Sequence, residues 1–394
     1  MRCSPHRRQP AMAALLSFMA VVAACQFLVS PEVATALDPL SPPEVTAESV
    51  YVFDATLDTP LYEKNADEQR SPASLTKIAT ALVILEQTDD LSETVIIDPS
   101  DVLDPDQGQS MVGLVAGDVL TVEQLIYGLL INSGNDAAYA LARHIGQKLL
   151  DAEGASGDPR ARFVQQMNTM AAGLGLTNTH FENPEGLYHP NHLTTARELG
   201  TLTALALDND LIARIASTEE TTITSLAAVP ISYLLQTTNR ILGENGVNGV
   251  KTGTLSESGA CLVASKQGLA GTLIISVILG SDIGFTDEGF QDPETDMRYD
   301  DARTIFSSLE QDFAWLSPVS GDAIPGLAAE LDVWDVGLMD EEPIVLRSTQ
   351  VANLRYVLRL GPPAGAQSEV GELLLYEGTE LIAERPVVQL DIAA

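Results

Sequence analysis

The sequence predicts an α/β protein of the α+β kind, in which an antiparallel sheet flanked by helices carries a helical insertion and a small C-terminal β-rich domain follows. Three observations predict this fold. Strand-like apolar segments stand at both ends of residues 45–316, segments with helical periodicity lie between them, and short strands separated by turn residues follow position 318. Strands from both ends of a region, with helices between them, indicate one sheet assembled from distant segments.

The first elements are two strands and a helix. Residues 50–54 and 61–64 are predicted strands, joined by a turn at residues 58–60. Ser71 and Pro72 predict a helix start, because serine is favoured at the N-cap and proline at the first helical position. The apolar residues after them recur at steps of three and four, as on the buried face of a helix; they are Leu75, Ile78, Ala79, Leu82 and Leu85.

The rest of the chain continues this pattern. Helices are predicted over residues 121–130, 137–150, 161–174 and 298–315. Strands are predicted over 246–254, 260–265 and 272–279, and their short glycine-containing joins indicate antiparallel neighbours. Further short strands are predicted at residues 344–346, 354–358, 372–376 and 387–390. We therefore expect a larger domain at 45–316 and a β-rich domain at 318–394.

The first 36 residues have the parts of a secretory signal peptide. Basic residues precede an apolar run over 11–29, and the small residues Ala34-Thr35-Ala36 follow it. An uncleaved membrane anchor is one alternative, since the run approaches the length of a membrane span. Lipidation of Cys25 after cleavage is another. We expect export to the periplasm or the outer face of the cytoplasmic membrane.

The charge is strongly negative, with 21 basic and 55 acidic residues and a net charge of −34. Such a surface repels phosphate groups, which excludes nucleic acid as a partner and disfavours anionic lipid. Of the three cysteines, Cys261 alone lies beyond the export segment, so no internal disulfide is expected. Its apolar surroundings in the sequence predict a buried, inert thiol.

The first chemical motif is Ser74-Leu75-Thr76-Lys77. A serine hydroxyl is a weak nucleophile that needs an adjacent base, and a residue three positions later lies on the same face of a helix. The free N–H groups at a helix start can bind an oxyanion, and the helix dipole disfavours a charged Lys77. The alternative is a solvated lysine, although the neighbouring apolar residues place the segment near the core.

Two further motifs follow in the sequence. Ser133-Gly134-Asn135 lies between two predicted helices, where such a tripeptide is usually a turn; the functional interpretation makes Ser133 a proton relay and Asn135 a ligand of Lys77. Lys251-Thr252-Gly253-Thr254 lies on a predicted strand. A cation and hydroxyls beside a sheet edge suit a terminal carboxylate, and Gly253 lets a peptide approach the backbone. The alternative is an exposed strand lysine beside a turn.

The ordered trio of motifs resembles the signature of penicillin-binding proteins and class A β-lactamases, whose middle element is Ser-Asp-Asn instead of Ser-Gly-Asn. With Ser-Gly-Asn in the middle, and with further similar blocks at residues 70–77, 134–138, 179–187, 195–199 and 247–253, the chain resembles the D-alanyl-D-alanine carboxypeptidase family of low-molecular-weight penicillin-binding proteins. The resemblance covers about residues 50–315. It implies a transpeptidase/β-lactamase-like fold, no cofactor, removal of the terminal D-alanine from peptidoglycan stem peptides, and inhibition by β-lactam antibiotics.

The resemblance also implies a role for each site residue. It makes Ser74 the acylated nucleophile, Lys77 its base and Ser133 the proton relay. Asn135 would position the substrate and Lys251 and Thr252 would bind its terminal carboxylate. The backbone N–H groups of Ser74 and Thr254 would form the oxyanion hole, with Gly253 between the two threonines. Arg197 matches a family position near the site, and a surface helix arginine is its alternative interpretation.

Other interpretations of the chain remain open at this stage. Many relatives end in a cationic amphipathic helix, whereas this chain ends in a strand-like, non-basic segment, which leaves weak or lipid-mediated membrane association. His189 and His192 are predicted to lie in an ordinary loop, and the acidic residues 282–301 in a solvated one, so no metal site is expected. A D,D-endopeptidase, a serine β-lactamase using Glu182 or Glu185, and an inactive wall-binding protein are the functional alternatives.

Overall fold

The computed structural model describes residues 37–390 except 269, 285–290, 293, 318–323, 341, 363–364 and 366, so the predicted signal peptide and Cys25 lie outside the described residues. The strands are β1 (Ser49–Asp54), β2 (Thr59–Lys64), β3 (Thr94–Ile96), β4 (Val119–Thr121), β5 (Glu220–Thr224), β6 (Ser232–Gln236), β7 (Val247–Leu255), β8 (Gly259–Gln267), β9 (Leu273–Ser281), β10 (Phe313–Leu316), β11 (Val336–Leu338), β12 (Ile344–Arg347), β13 (Leu354–Leu360), β14 (Glu369–Glu377) and β15 (Glu380–Gln389). The helices are α1 (Thr76–Gln87), α2 (Val122–Leu130), α3 (Asn135–Glu153), α4 (Pro159–Gly173), α5 (Ala196–Leu207), α6 (Asp210–Ala216), α7 (Arg298–Asp312), α8 (Leu327–Trp334) and α9 (Ser348–Val351).

A five-stranded antiparallel sheet forms the centre of the larger part of the chain. Its strand order is β2-β1-β9-β8-β7, so the N-terminal hairpin pairs with strands from the far end of this region. Side chains alternate between its faces. Tyr51 and Phe53 join one apolar core, whereas Val50 and Val52 join the other. Because both faces are covered, β1 is buried along its whole length.

Helices cover both faces of this sheet. The helical insertion between β2 and β7 supplies most of the first core, in which α1 packs against α2, α3, α4 and α5. The second core is formed with α7, through side chains such as Ile305 and Phe306. The predicted fold class, an antiparallel sheet flanked by helices with a helical insertion, is therefore confirmed.

Several predicted boundaries are wrong. Ser71 does not cap a helix: a 3-10 turn over Ala73–Leu75 precedes α1, and the Ser71 hydroxyl has no hydrogen-bond partner among the described residues. The predicted helix 298–315 ends at Asp312 because the chain continues as β10, which pairs with β12. The acidic stretch 282–301 is not simply solvated, since Asp301 is buried and its carboxylate accepts hydrogen bonds from the N-terminal segment of the structure.

The C-terminal part has its own sheet and its own apolar core. Strands β11, β15, β14 and β13 form an antiparallel sheet in that order. Its buried side chains, among them Leu373 and Val387, cluster with Leu327 and Leu331 of α8. No helix in the part of the chain that the structure describes is long and apolar enough to cross a membrane.

Candidate active site

Ser74 lies directly after a bend that long-range packing maintains. The preceding residue, Ala73, has φ of +50°, a left-handed conformation that costs a non-glycine residue about 1–2 kcal/mol. Its carbonyl accepts a hydrogen bond from Thr76 Oγ1 at 2.8 Å. Gly186 approaches so closely that a Cβ atom there would stand 1.9 Å from the Ala73 oxygen. Neighbours from a distant loop therefore support the backbone that presents Ser74.

Lys77 is fully buried at the start of α1 and contacts Ser74. Its Nζ lies 2.9 Å from Ser74 Oγ, 2.7 Å from Asn135 Oδ1 and 2.7 Å from the backbone oxygen of Glu185. The last two are carbonyl oxygens and can only accept hydrogen bonds. These two oxygens therefore accept hydrogen bonds from both N–H groups of a neutral Lys77 amine. The lone pair of the amine is then directed at the Ser74 hydroxyl.

The pKa of Lys77 suits a base at neutral pH. Burial lowers this pKa to about 7, against the opposing effect of the negative charges of Glu185 and Asp136. The sequence-based interpretation attributed the neutral amine to the helix dipole. The structure adds loss of solvent as a cause, because a charged ammonium group is disfavoured where water cannot reach it.

Ser133 and Asn135 lie at or just before the start of α3, near Ser74 and Lys77. Ser133 adopts φ of +57°, is buried and lines the same cleft as Ser74. Asn135 is the first residue of α3, and its Nδ2 donates to Gln109 Oε1 at 2.9 Å. That hydrogen bond turns Oδ1 of the amide towards Lys77.

The next residue, Asp136, fixes the loop beside the cleft. Its buried carboxylate accepts hydrogen bonds of 2.8–3.0 Å from the backbone N–H groups of residues 112–114. The N–H of Asn135 donates to the carbonyl of Ser110 at 2.9 Å. Ser110 in turn lines the cleft. The segment at residues 133–136 thus holds both Asn135, which contacts Lys77, and the loop that forms one wall of the cleft.

Strand β7 forms the opposite wall. Thr252, Gly253 and Thr254 line the cleft, whereas Lys251 is buried and its Nζ donates to the Thr252 carbonyl at 2.9 Å. Burial lowers the pKa of Lys251 well below its usual value, and the charge of Lys77 adds to the effect. A Cβ atom on Gly253 would stand 3.0 Å from the Ser74 nitrogen. Gly253 thus allows a close approach of β7 to the Ser74 loop, and its predicted contact with a substrate peptide stays a prediction.

Arg298 is a cleft residue that no sequence pattern indicated. It is buried at the start of α7, and its Nη1 donates to the carbonyls of Gly253 and Cys261 at 2.8 and 3.0 Å. Its Nη2 donates to Thr254 Oγ1 at 2.5 Å, and its Nε pairs with Asp296 at 2.7 Å. Because the Thr254 oxygen accepts from Arg298, the Thr254 proton is directed elsewhere, where it can be donated to a ligand.

The cleft between these elements has a volume of about 310 Å³ and a polar lining. It contains two guanidinium groups, of Arg240 and Arg298, and one carboxylate, of Asp296. Arg240 lies over the Tyr299 ring, 5.5 Å from its centroid. The cleft is lined by Ser74, Ser110, Ser133, Thr237, Thr238, Arg240, Thr252, Gly253, Thr254, Gln291, Asp296, Arg298 and Tyr299. Hydroxyls and an excess of arginine suit an anionic, hydrogen-bonding ligand.

His192 supports the Ser74 loop through hydrogen bonds, although the sequence predicted only an ordinary loop around His192. Its Nδ1 accepts from the Glu182 N–H at 3.1 Å, so its Nε2 carries the proton and donates to Thr76 Oγ1 at 2.8 Å. The Thr76 hydroxyl then donates to the Ala73 carbonyl. Burial lowers the pKa of His192 to about 3, which keeps the ring neutral. Among the described residues, no group of three or more His, Cys, Asp or Glu side chains is arranged to hold a metal ion.

Arg197 does not join the other predicted site residues. Its guanidinium pairs with Glu63 at 2.7 Å and Asp67 at 2.8 Å and lies 4.7 Å from the centroid of the Tyr51 ring. It is absent from the lining of the cleft. These contacts fit the alternative interpretation, a helix arginine that ties α5 to the β1-β2 hairpin.

Comparisons with known proteins identify the family and the fold of the chain. A D-alanyl-D-alanine carboxypeptidase from Streptomyces sp. strain K15 is 35% identical over 257 residues, which cover 63% of this chain and 85% of that protein. The crystal structure of the Streptomyces K15 DD-transpeptidase superposes with a TM-score of 0.58 at 31% identity, covering 68% of this chain and 98% of that one. A Francisella tularensis carboxypeptidase, DacD, shares the fold over 90% of this chain and 95% of its own, with a TM-score of 0.63 at 23% identity. The family model for D-alanyl-D-alanine carboxypeptidase matches residues 37–283, and the chain belongs to that family of serine peptidases.

Proposed function

We propose that Ser74 is the residue acylated when this carboxypeptidase removes the terminal D-alanine from a peptidoglycan stem peptide. The observation that carries this assignment is the 2.9 Å contact between Lys77 Nζ and Ser74 Oγ, with two carbonyl acceptors holding the remaining N–H groups of the amine. An adjacent base within hydrogen-bond reach is what a serine nucleophile requires.

Acylation begins with proton transfer from Ser74 Oγ to the neutral amine of Lys77. The oxygen attacks the carbonyl carbon of the scissile D-alanyl-D-alanine bond, and the backbone N–H groups of Ser74 and Thr254 stabilise the oxyanion. The proton then passes through the Ser133 hydroxyl to the leaving amine, and D-alanine departs. A water molecule hydrolyses the ester that remains on Ser74, with Lys77 again accepting a proton.

The terminal carboxylate of the substrate would bind beside β7. The Thr252 and Thr254 hydroxyls line this part of the cleft, together with the guanidinium groups of Arg240 and Arg298. Lys251 is buried behind them, with its amine on the Thr252 carbonyl. Asn135 would bind the substrate amide as well as Lys77. A cationic pocket of this kind prefers a peptide with a free carboxyl end, which favours carboxypeptidase action over the cutting of internal cross-links.

Mass spectrometry of the penicillin-labelled protein tests the nucleophile. We expect one penicillin per chain, on the peptide that contains Ser74, and no labelling or D-alanine release in Ser74→Ala. The matched control is Ser71→Ala, three residues earlier, whose hydroxyl has no partner among the described residues. Full D-alanine release by Ser74→Ala would overturn the assignment.

Assays of the same purified protein distinguish carboxypeptidase activity from endopeptidase and β-lactamase activity. Monomeric stem peptides should lose D-alanine, whereas dimeric ones should remain cross-linked if endopeptidase action is minor. Penicillin should leave Ser74 slowly; rapid turnover would indicate a β-lactamase.

Domain organisation and location form the rest of the proposal. We infer a catalytic domain at 45–316 and a β-rich domain at 318–394, supported by the separate apolar core of the second part. We infer export through the signal peptide at 1–36, which would bring the enzyme to its substrate in the periplasm or on the outer face of the cytoplasmic membrane. Lipid-mediated attachment through Cys25 would be revealed by loss of membrane-bound enzyme in Cys25→Ala.

A further inference from the structure

The side chain of Glu185 is a buried acid that the mechanism above does not use. The residue is 3% exposed, and its Oε2 atom has no hydrogen-bond partner among the described residues. Its own backbone oxygen accepts the hydrogen bond from Lys77. A buried carboxyl group with an unsatisfied oxygen is costly and calls for a functional explanation.

Three helices face this carboxyl group. Tyr139 of α3 donates its hydroxyl to Glu185 Oε1 at 3.2 Å. Arg160 of α4 lies over the Tyr139 ring, 4.7 Å from its centroid, and is itself paired with Asp101 at 2.7 Å. The positive charges of Lys77 on α1 and Arg160 on α4 both act on this carboxyl group.

Among the described residues, two acids act on the charge of Lys77. Besides Glu185, the negative charge of Asp136 on α3 acts on it, and the buried Lys251 on β7 is close enough to interact. Asp136 already accepts hydrogen bonds from several backbone N–H groups. Among the acids that act on Lys77, the Glu185 carboxyl has an oxygen left unsatisfied by the described residues.

Catalysis creates a charge at this position. When Ser74 gives up its proton, Lys77 becomes an ammonium group in a site where water cannot solvate it. An opposite charge nearby stabilises such an ion far more strongly than it would in water. The burial that raises the pKa of the Glu185 carboxyl is opposed by the positive charge of Lys77, so each group favours the ionised form of the other.

We propose that the Glu185 carboxylate is the counter-charge of the Lys77 ammonium, and that it sets the pH range over which Ser74 is acylated. The inference rests on the proposed roles of Ser74 and Lys77. Glu185 acts through Lys77 and is therefore a positioning residue, not a catalytic one. Tyr139 takes part by holding the carboxyl group in its ionised form.

The pH dependence of penicillin acylation tests the proposal in Glu185→Gln, which keeps the shape of the side chain and removes its charge. Without the negative charge, the Lys77 ammonium loses a proton more easily. We expect the acid limb of the acylation rate to move to lower pH by on the order of one unit. Tyr139→Phe, which leaves the charge but weakens its stabilisation, should move the limb in the same direction by less.

A measurement without catalysis separates this inference from the proposed function. The chain has five lysines (Lys64, Lys77, Lys148, Lys251 and Lys266), so the ε-carbon signals of a ¹³C-lysine-labelled protein can be assigned and titrated individually by NMR. If penicillin did not label Ser74 in the wild type, the proposed function would be overturned, but the proposed effect of Glu185 on Lys77 would not. An unchanged Lys77 titration in both Glu185→Gln and Tyr139→Phe would overturn the role of Glu185, whatever the activity.

Discussion

Replacing Gly186 by alanine should damage the site without touching a catalytic side chain. Gly186 has φ of +91°, and a Cβ atom there would lie 1.9 Å from the Ala73 oxygen, 2.5 Å from its carbonyl carbon and 2.9 Å from Thr76 Oγ1. The nearest clash is with backbone, so no rotation of a side chain can relieve it. The Ala73 carbonyl must move by about 1 Å or more, since carbon and oxygen atoms need roughly 3 Å or more of separation.

Two costs add in Gly186→Ala. A left-handed backbone on a residue with a Cβ atom costs about 1–2 kcal/mol, and insertion of a methyl group into a filled space costs about 1–3 kcal/mol. We expect the free energy of unfolding to fall by about 2–5 kcal/mol. Because Ala73 immediately precedes Ser74, we also expect the acylation rate to fall by about 10²-fold, as a 1 Å misplacement of a reacting group can cause.

Gly175→Ala is the matched control. Gly175 also has a positive φ, of +74°, but a Cβ atom there would meet nothing within 4 Å. This variant should lose only about 1–2 kcal/mol and acylate at the wild-type rate. Urea denaturation and stopped-flow acylation by a fluorescent penicillin measure both quantities. If the two alanine variants behave alike in both assays, the proposed dependence of Ser74 on the Gly186 contact is wrong.

Three more outcomes are expected. In the wild type the acylation rate of Ser74 should fall about tenfold per pH unit below pH 7, as Lys77 takes up a proton and ceases to be a base; a flat profile from pH 5 to 8 would contradict this. Because the pKa of His192 is lowered on folding, the unfolded chain binds a proton below pH 6.5 that the folded chain refuses until about pH 3, so stability is lost across that window. His192→Gln should show a smaller loss in urea denaturation at pH 4.5 than the wild type. Thr76→Val should cost about 1–3 kcal/mol in unfolding and slow acylation, whereas Thr76→Ser should restore both, and failure of that rescue would count against the hydroxyl's role.

The sequence was a good guide wherever the determining interactions are local or periodic. The alternation of residues 50–53 between two apolar cores follows from strand geometry, and Thr121 marks the start of α2 because it forms a capping box with Gln124. The spacing of Ser74 and Lys77 likewise predicted their contact. Such signals are read from a few adjacent positions, so the sequence contains them in full.

The remaining features depend on residues far apart in the chain. Ser71 has the right neighbours for a helix cap, yet Ala73 is held left-handed by contacts with Thr76 and Gly186, and the α-helix begins later. Arg298 lies in an acid-rich stretch that looks solvated, and its partners on β7 and β8 are visible only after the sheet has formed. No local pattern encodes either arrangement.

The pairing of β1 with β9 has a consequence for how the enzyme comes into being. Strand β1 pairs first with its sequence neighbour β2 and gains its second partner only when β9 has been reached. Closing a loop of this length is slow. Until then β7 has no finished sheet behind it and no fixed distance to the Ser74 bend. We therefore expect a chain in which β1 has not yet paired with β9 to be acylated poorly, since the cleft needs both β7 and the Ser74 bend in their final positions.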